Sequence, residues 1–247
     1  MRLTELGGSG CLVSALSLGA AGLGNLLGEV DDATARDAVD AAWDAGVRYF
    51  DTAPHYGLGL SERRIGAALR DRPRDMFTLS TKVGRVLEPL ADPAGDDRAE
   101  GFAVPATHRR RWDFSADGVR RSIEDSLGRL GLDRIDVVLL HDPDDHAEQA
   151  LDEAYPALER LRAEGVVRAI GAGMNQAGPL ARFVRETDVD AVLCAGRYSL
   201  LDQRAADELL PEAAARGKSV VVGGEIGKSG SAGMPRPLRK SRMPSSA

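Results

Sequence analysis

Asp51, Tyr56, Lys82 and His141 are residue types that together could move a proton at a carbonyl or carbinol oxygen. A phenol can give or take the proton. An ammonium beside it favours the phenolate, drawing a pKa of about 10 toward working pH. A carboxylate near that ammonium keeps it charged and sets its direction, while a neutral imidazole can donate a hydrogen bond to the reacting oxygen. Such a set suits hydride transfer at a carbon–oxygen bond. Protein side chains cannot supply hydride, so this chemistry implies a nicotinamide, NAD or NADP.

Each of the four has a plainer role when taken alone. A single Asp at a strand end caps, a single Tyr packs, a lysine there is a solvated charge, and His141-Asp142 could be a turn. The joint arrangement, complementary groups at the ends of three successive strands, is hard to obtain from structural needs. His55, His108 and His146 have no such complementary groups in the sequence and are assigned structural roles.

The stretches around these residues read as a repeating scaffold. Residues 47–50 are a short apolar run ending on Asp51, and Ser61-Glu62 reads as the N-cap and acidic first turn of a helix to about residue 70. Residues 77–81 form the next strand, ending on Lys82, and 135–140 form another, ending on His141. Residues 2–14, with Gly7, Gly8 and Gly10, suggest a hairpin ahead of a first strand at 16–20. Helices are predicted over 32–45, where Ala35, Val39, Ala42 and Trp43 recur at helical spacing, and over 115–130, 147–164, 179–186 and 205–215. Further strands are predicted at 166–170, 191–194 and 219–222.

Strand and helix thus alternate seven times with short connections, which requires parallel strands joined by right-handed crossovers. The fold class is α/β, a (β/α)8 barrel with an amino-terminal hairpin, in one domain over residues 1–224. In parallel barrels the carboxyl ends of the strands converge on one rim, so distant residues can meet there. Two segments break the pattern. Residues 84–113, with three prolines and the basic run His108 to Arg111, read as an irregular, mobile wall over that rim. The eighth strand and helix are not legible: residues 225–247 turn to Gly, Ser, Pro and basic residues, as in a disordered tail.

The composition narrows the function classes. A formal net charge of −6 argues against general binding of nucleic acid or anionic membrane. Cys11 and Cys194 lack metal-ligand spacing and read as core thiols of a reducing compartment. With no basic-then-apolar leader and no apolar run of membrane length, the expected location is cytoplasmic.

Several of these stretches resemble the aldo-keto reductase family: LGGSGCLVSALSLG near the start, FDTAPHYGLGLSE, the strand ending on Lys82, DVVLLHDPD and AIGAGMNQ. The resemblance implies a (β/α)8 barrel closed below by the hairpin, with NAD or NADP lying across the carboxyl rim. It implies Tyr56 as proton donor or acceptor, Lys82 and Asp51 as its tuning pair, and His141 as the group orienting the substrate oxygen. Asn175 falls where the family holds the nicotinamide carboxamide, and Asp51, Gly223 and Gly224 complete the expected cofactor contacts. Met174 stands where many members have serine and Ala195 where many have glutamine; with GRYSLLDQ at 196–203, these resemble the branch of sugar 1-dehydrogenases and pyridoxal-type reductases.

The implied function is oxidoreduction of an aldose or small aldehyde or alcohol. The partner is then a small carbonyl or sugar molecule, and the sequence carries no signal for oligomeric state. Two other readings compete: a non-catalytic nucleotide-binding regulatory subunit, and a shortened or frameshifted barrel with impaired cofactor binding and a tendency to aggregate. The complete acid/base set argues against the first, and the composition after Gly224 motivates the second.

Overall fold

The computed structural model describes residues 1–224. Strands β1 (Leu3–Glu5) and β2 (Leu12–Ser14) pair as an antiparallel hairpin. Seven strands then form one parallel sheet: β3 (Leu18–Gly19), β4 (Tyr49–Asp51), β5 (Thr78–Val83), β8 (Val137–His141), β9 (Ala169–Met174), β10 (Ala191–Ala195) and β11 (Ser219–Gly223), adjacent in that order. Between β5 and β8 a second antiparallel hairpin, β6 (Arg85–Pro89) and β7 (His108–Trp112), departs from the sheet. The outer helices are α1 (Asp32–Asp44), α2 (Leu60–Leu69), α3 (Ala116–Leu130), α4 (Ala147–Gln149), α5 (Tyr155–Ala163), α6 (Ala177–Glu186) and α7 (Leu209–Ala215). A π-helical turn, Ala150–Ala154, makes α4 and α5 one continuous rod.

Alternation along the strands sorts side chains into two cores, as the pleat requires. Phe50, Leu79, Val138, Leu140, Ile170 and Val192 face outward and pack against Ile65, Val119, Ile123, Leu158 and Leu180 of the helices. Tyr49, Val137, Leu139, Ala169 and Ala191 face inward, and with Leu6, Cys11 and Val13 they fill a separate inner core. Inner faces from β4 and from β8 to β10 can share one cluster only if the sheet curls. The curl is that of a barrel, with β3 and β11 as its two ends among the described residues.

The amino-terminal hairpin closes the bottom of this barrel, as expected. Thr78 Oγ1 donates to the Leu12 carbonyl (2.7 Å), Gly7 N–H donates to Ser219 Oγ (2.7 Å), and Arg168 donates to the Gly10 carbonyl (2.8 Å). Those partners begin or precede β5, β11 and β9, so one short hairpin ties three strand starts together. The other end of the barrel is left to the loops.

Local chemistry explains the helices that the sequence shows plainly. Asp31 accepts from the Thr34 N–H (2.8 Å) at the start of α1, and Ser115 accepts from the Gly118 N–H (3.0 Å) at the start of α3. Four expectations differ from the structure. The strand expected at 166–170 runs Ala169–Met174 instead, with Val166 exposed, because its register is set by pairing with β8 from Val137 onward. Gly171 and Gly173 weaken the strand signal inside the true element. The first strand pairs only at Leu18–Gly19.

Ser61 is not the cap, although Glu62 does lie in the first turn of α2 as expected. The N-cap of α2 is Gly59, in the left-handed region, and both Ser61 and Glu62 are fully buried. Ser61 Oγ donates to the Ala20 carbonyl (2.6 Å), while Glu62 accepts from Thr81 Oγ1 (2.7 Å) and pairs with Arg129 (2.5 Å). These polar groups bolt α2 to the sheet and to α3 rather than to solvent.

The fourth difference is the segment 84–113. It is not irregular: β6 and β7 form a hairpin, and the intervening residues fold back on the rim and wall its cavity with Glu100 and Phe102. Leu87, Phe102 and Val104 form a third small core with Leu26, Tyr56, Leu58 and Leu60. Leu26 bridges Phe102, Leu27 N–H donates to the Gly101 carbonyl (2.9 Å), and Ala103 N–H donates to the Asn25 carbonyl (2.9 Å). The expected tail, 225–247, lies outside the described residues.

Candidate active site

The rim site begins with inward-facing positions on adjacent strands. Asp51 and Ser80 are register partners on β4 and β5, and Lys82 lies one pleat further up β5. Lys82 Nζ donates to Asp51 Oδ2 (2.6 Å) and to the Thr52 carbonyl (2.9 Å). The other oxygen, Asp51 Oδ1, accepts from Ser80 Oγ (2.6 Å). Lys82 is 2% exposed and Asp51 6%, so this is a buried, fully directed ion pair. Burial alone would lower the lysine pKa, but Asp51 outweighs it and holds Lys82 protonated above the ordinary range.

Tyr56 reaches the same place from the loop after β4. Its backbone runs against the loop after β3 so closely that a Cβ on Gly57 would lie 2.2 Å from the Gly24 carbonyl oxygen. That contact requires glycine and holds the tyrosine loop to the barrel. Lys82 Nζ lies 4.9 Å from the Tyr56 ring centre, and His141, at the end of β8, stands edge-on at 5.8 Å with an 88° interplanar angle. The four residues singled out by type and strand-end position are therefore gathered within one small volume.

One electrostatic expectation is corrected. The Tyr56 pKa lies above, not below, its ordinary value of 10.0. Burial raises it most, Lys82 pulls it down, and Asp51 pushes it up again. The ammonium is largely spent on Asp51 at 2.6 Å, so its help to a phenolate does not overcome desolvation. A neutral phenol is the resting form at neutral pH.

A cavity of about 170 Å³ opens above these groups, lined by Tyr56, Lys82 and His141 together with Asn175, Leu193 and Ala195. Asn175 follows β9 and lines the cavity. Asp51 lies behind Lys82, and Gly223 and Gly224 lie at the end of β11 beside Ala195; none of these three lines the cavity. The bare Cα of Gly173 and the methyl of Ala195 keep that side open. A Cβ on Gly173 would meet Lys82 Cε at 3.5 Å.

Other residues join the site without a clear signal in the sequence. His55, expected to be structural, lines the cavity, 5.6 Å from the His141 ring and 5.1 Å from the Phe102 ring. His108 and His146 stay outside: His108 bonds Thr107 Oγ1 (2.9 Å), and His146 packs against Trp112 (5.2 Å) and Phe114 (5.7 Å). Leu26, Glu100 and Phe102 reach the mouth from the loop after β3 and the hairpin insertion. Asp142, in the left-handed region (φ 43°), lines the cavity and pairs with Arg85, which stacks on Trp112 at 4.4 Å. His55 and Asp142 each adjoin an identified residue in sequence, and that adjacency is the available signal; nothing local marks Phe102.

A parallel barrel carrying a buried ammonium–carboxylate pair, a phenol and an imidazole around a rim cavity defines an acid/base oxidoreductase class. Similarity places the chain within it: residues 15–233 match the aldo/keto reductase family, and the chain belongs to that family. It is 50% identical over 237 residues to a D-threo-aldose 1-dehydrogenase of a Pseudomonas species, covering 95% of this chain and 72% of the relative. A pyridoxal 4-dehydrogenase of Microbacterium luteolum is 39% identical, over 94% of this chain and 72% of its own. Among solved structures, an aldo-keto reductase of Bacillus halodurans in its holo form superposes with a TM-score of 0.72 at 32% identity. The match covers 90% of this chain and 65% of that one. The chain thus spans between about two thirds and three quarters of the length of these relatives. Among the described residues no helix is long and apolar enough to cross a membrane.

Proposed function

We propose that the chain transfers hydride between a nicotinamide dinucleotide and C1 of an aldose, or the equivalent carbon of a small aldehyde or alcohol. The observation that carries this reading is Lys82 held by Asp51 directly beside Tyr56, with His141 facing the same cavity. A nicotinamide, NAD or NADP, would supply or accept the hydride. The chain's residues fit that group: the Asn175 amide complements a carboxamide, and Gly173, Leu193 and Ala195 leave an open apolar side on the cavity. Asp51, Gly223 and Gly224 would support the cofactor from the rim behind it.

The remaining steps belong to the protein. In reduction the neutral Tyr56 phenol donates its proton to the carbonyl oxygen as carbon gains hydride. In oxidation the phenolate takes the hydroxyl proton. Lys82 stabilises that phenolate, and His141 directs the oxygen by hydrogen bonding. Glu100 and Asp142 at a mouth walled by Phe102 suit a polyhydroxylated ring, with polar groups for hydroxyls and an aromatic face for C–H bonds. The activities for which the aldose and pyridoxal relatives are named favour the same carbonyl class.

The test is turnover of a panel of aldoses and aldehydes with each nicotinamide, for the parent and for Tyr56→Phe. Loss of the acid/base group costs about 10²–10⁴ in rate, while nucleotide binding should stay near the parent's. A phenylalanine variant keeping half the parental rate would refute the assignment.

A further inference from the structure

Ser80 has no place in the scheme above, yet it touches the buried carboxylate on which that scheme depends. It is fully buried on β5, opposite Asp51, and its hydroxyl has two acceptors in range: Asp51 Oδ1 at 2.6 Å and the Phe50 carbonyl at 3.5 Å. The shorter contact lies in the range of a charge-assisted hydroxyl–carboxylate bond. It occupies one carboxylate oxygen and so leaves Oδ2 for Lys82. We infer that Ser80 is a positioning residue that fixes the rotation of the Asp51 carboxylate, and through it the direction of the Lys82 ammonium toward Tyr56.

Alternation puts Ser80 and Lys82 on the same inner face of one strand, two residues apart. The carboxylate is thus gripped from two neighbouring positions of β5 at once. Without the hydroxyl, Asp51 could turn about its own side-chain bond, and the ammonium would lose its fixed direction. The inference rests on the reading that Tyr56 carries the proton. The charged and titratable groups facing Tyr56 are Asp51, His55, Lys82, Glu100, His141 and Asp142, with Arg85 behind Asp142.

Removing the donor strengthens the negative potential of Asp51 at the phenol and loosens the ammonium, and both disfavour phenolate. Ser80→Ala should therefore move the Tyr56 titration upward by roughly half a unit to one unit and slow turnover about tenfold, less than loss of the phenol itself. The titration is read from phenolate absorbance as the difference from Tyr56→Phe, which removes the contribution of the other tyrosines. The alkaline limb of the oxidation profile reports the same group.

Ser80→Thr keeps the hydroxyl and should restore both readouts; Ser80→Cys, a weak donor of similar size, should fall between. In an Asp51→Asn background, Ser80→Ala should add no further shift. A Ser80→Ala variant that melts like the parent and shows the parental titration and turnover overturns the inference. So does a shift that persists undiminished in the Asp51→Asn background. If Tyr56→Phe turns over normally while Ser80→Ala still shifts the titration, the proton-transfer reading fails and the positioning role stands.

Discussion

At the scale of single residues, the phenol's environment decides the direction of the pH dependence. Tyr56 has a raised pKa, so the protonated form needed for reduction persists through neutral pH and is lost only above the ordinary tyrosine range. Reduction should accordingly be flat from neutrality and fall in strong alkali, while oxidation, which needs phenolate, should climb across the same window. Steady-state rates in both directions from neutral to alkaline pH check this; an oxidation rate that levels off below about pH 8, well under the usual tyrosine pKa, contradicts it. Lys82→Met removes the ammonium that lowers the Tyr56 pKa, so it should push the oxidation limb further up as well as slow it. An unmoved limb would leave Lys82 a structural residue. Because Asp51, Lys82 and Tyr56 interact, the observed value belongs to the set.

At the scale of elements, Arg110 adds an ionic clamp to the apolar core and backbone bonds that hold the hairpin insertion over the rim. Arg110 grips Asp97 with two hydrogen bonds (2.7 and 2.5 Å) and also donates to the His55 carbonyl (3.0 Å), joining the insertion to the residue before Tyr56. Arg110 and Asp97 are nearly buried, so Arg110→Ala strands a carboxylate at a cost of about 3 kcal/mol. Amide exchange across 90–107 should quicken and KM for the carbonyl substrate should rise, with nucleotide binding little changed. Arg110→Lys should not rescue it, since the two-pronged contact is lost. Exchange and KM equal to the parent's would assign the insertion's order to its apolar core and backbone bonds without Arg110.

The α2–α3 contact makes a sharper test of packing. A Cβ on Gly66 would lie 1.9 Å from the Leu130 carbonyl oxygen, whereas a Cβ on Gly128 meets nothing within 4 Å. Gly66→Ala should cost about 1–3 kcal/mol or more, lowering Tm by roughly 2–4 °C per kcal/mol for a chain of this size. Gly128→Ala, on the exposed side of α3, should instead stabilise by about 0.5–1 kcal/mol. Melting both variants against the parent decides it; equal Tm values would mean the helices can part without loss.

At the scale of the whole molecule, the site exists because the seven parallel strand ends among the described residues share one rim. Gly223 ends β11, on the side of the rim beside Ala195, and a Cβ there would sit 3.4 Å from Leu193 Cδ2 and 3.8 Å from Ala195 Cβ. Gly223→Val should crowd the face proposed for the cofactor and weaken NAD or NADP binding about tenfold, roughly 1.4 kcal/mol. Equilibrium binding followed by tryptophan fluorescence measures this, with Tm as the control for folding. Undiminished affinity would remove Gly223 from the cofactor surface.

Much of this molecule is legible before folding. The apolar runs ending on Asp51, Lys82 and His141, the cap at Ser115, and the strand–helix rhythm are local signals, each complete within a few residues. They are enough to place four side chains on one rim, because parallel connection forces strand ends together. What only the tertiary structure decided depends on neighbours distant in sequence. Ser61 looks like an N-cap and Glu62 like no more than a first-turn acid until Ala20, Thr81 and Arg129 surround them. Residues 84–113 look irregular until Leu26, Leu58 and Tyr56 give Phe102 and Val104 a core. The phenol's pKa is the clearest case. The sequence shows that an ammonium is near, but burial and the prior claim of Asp51 on that ammonium reverse the sign, and both are properties of the packed barrel.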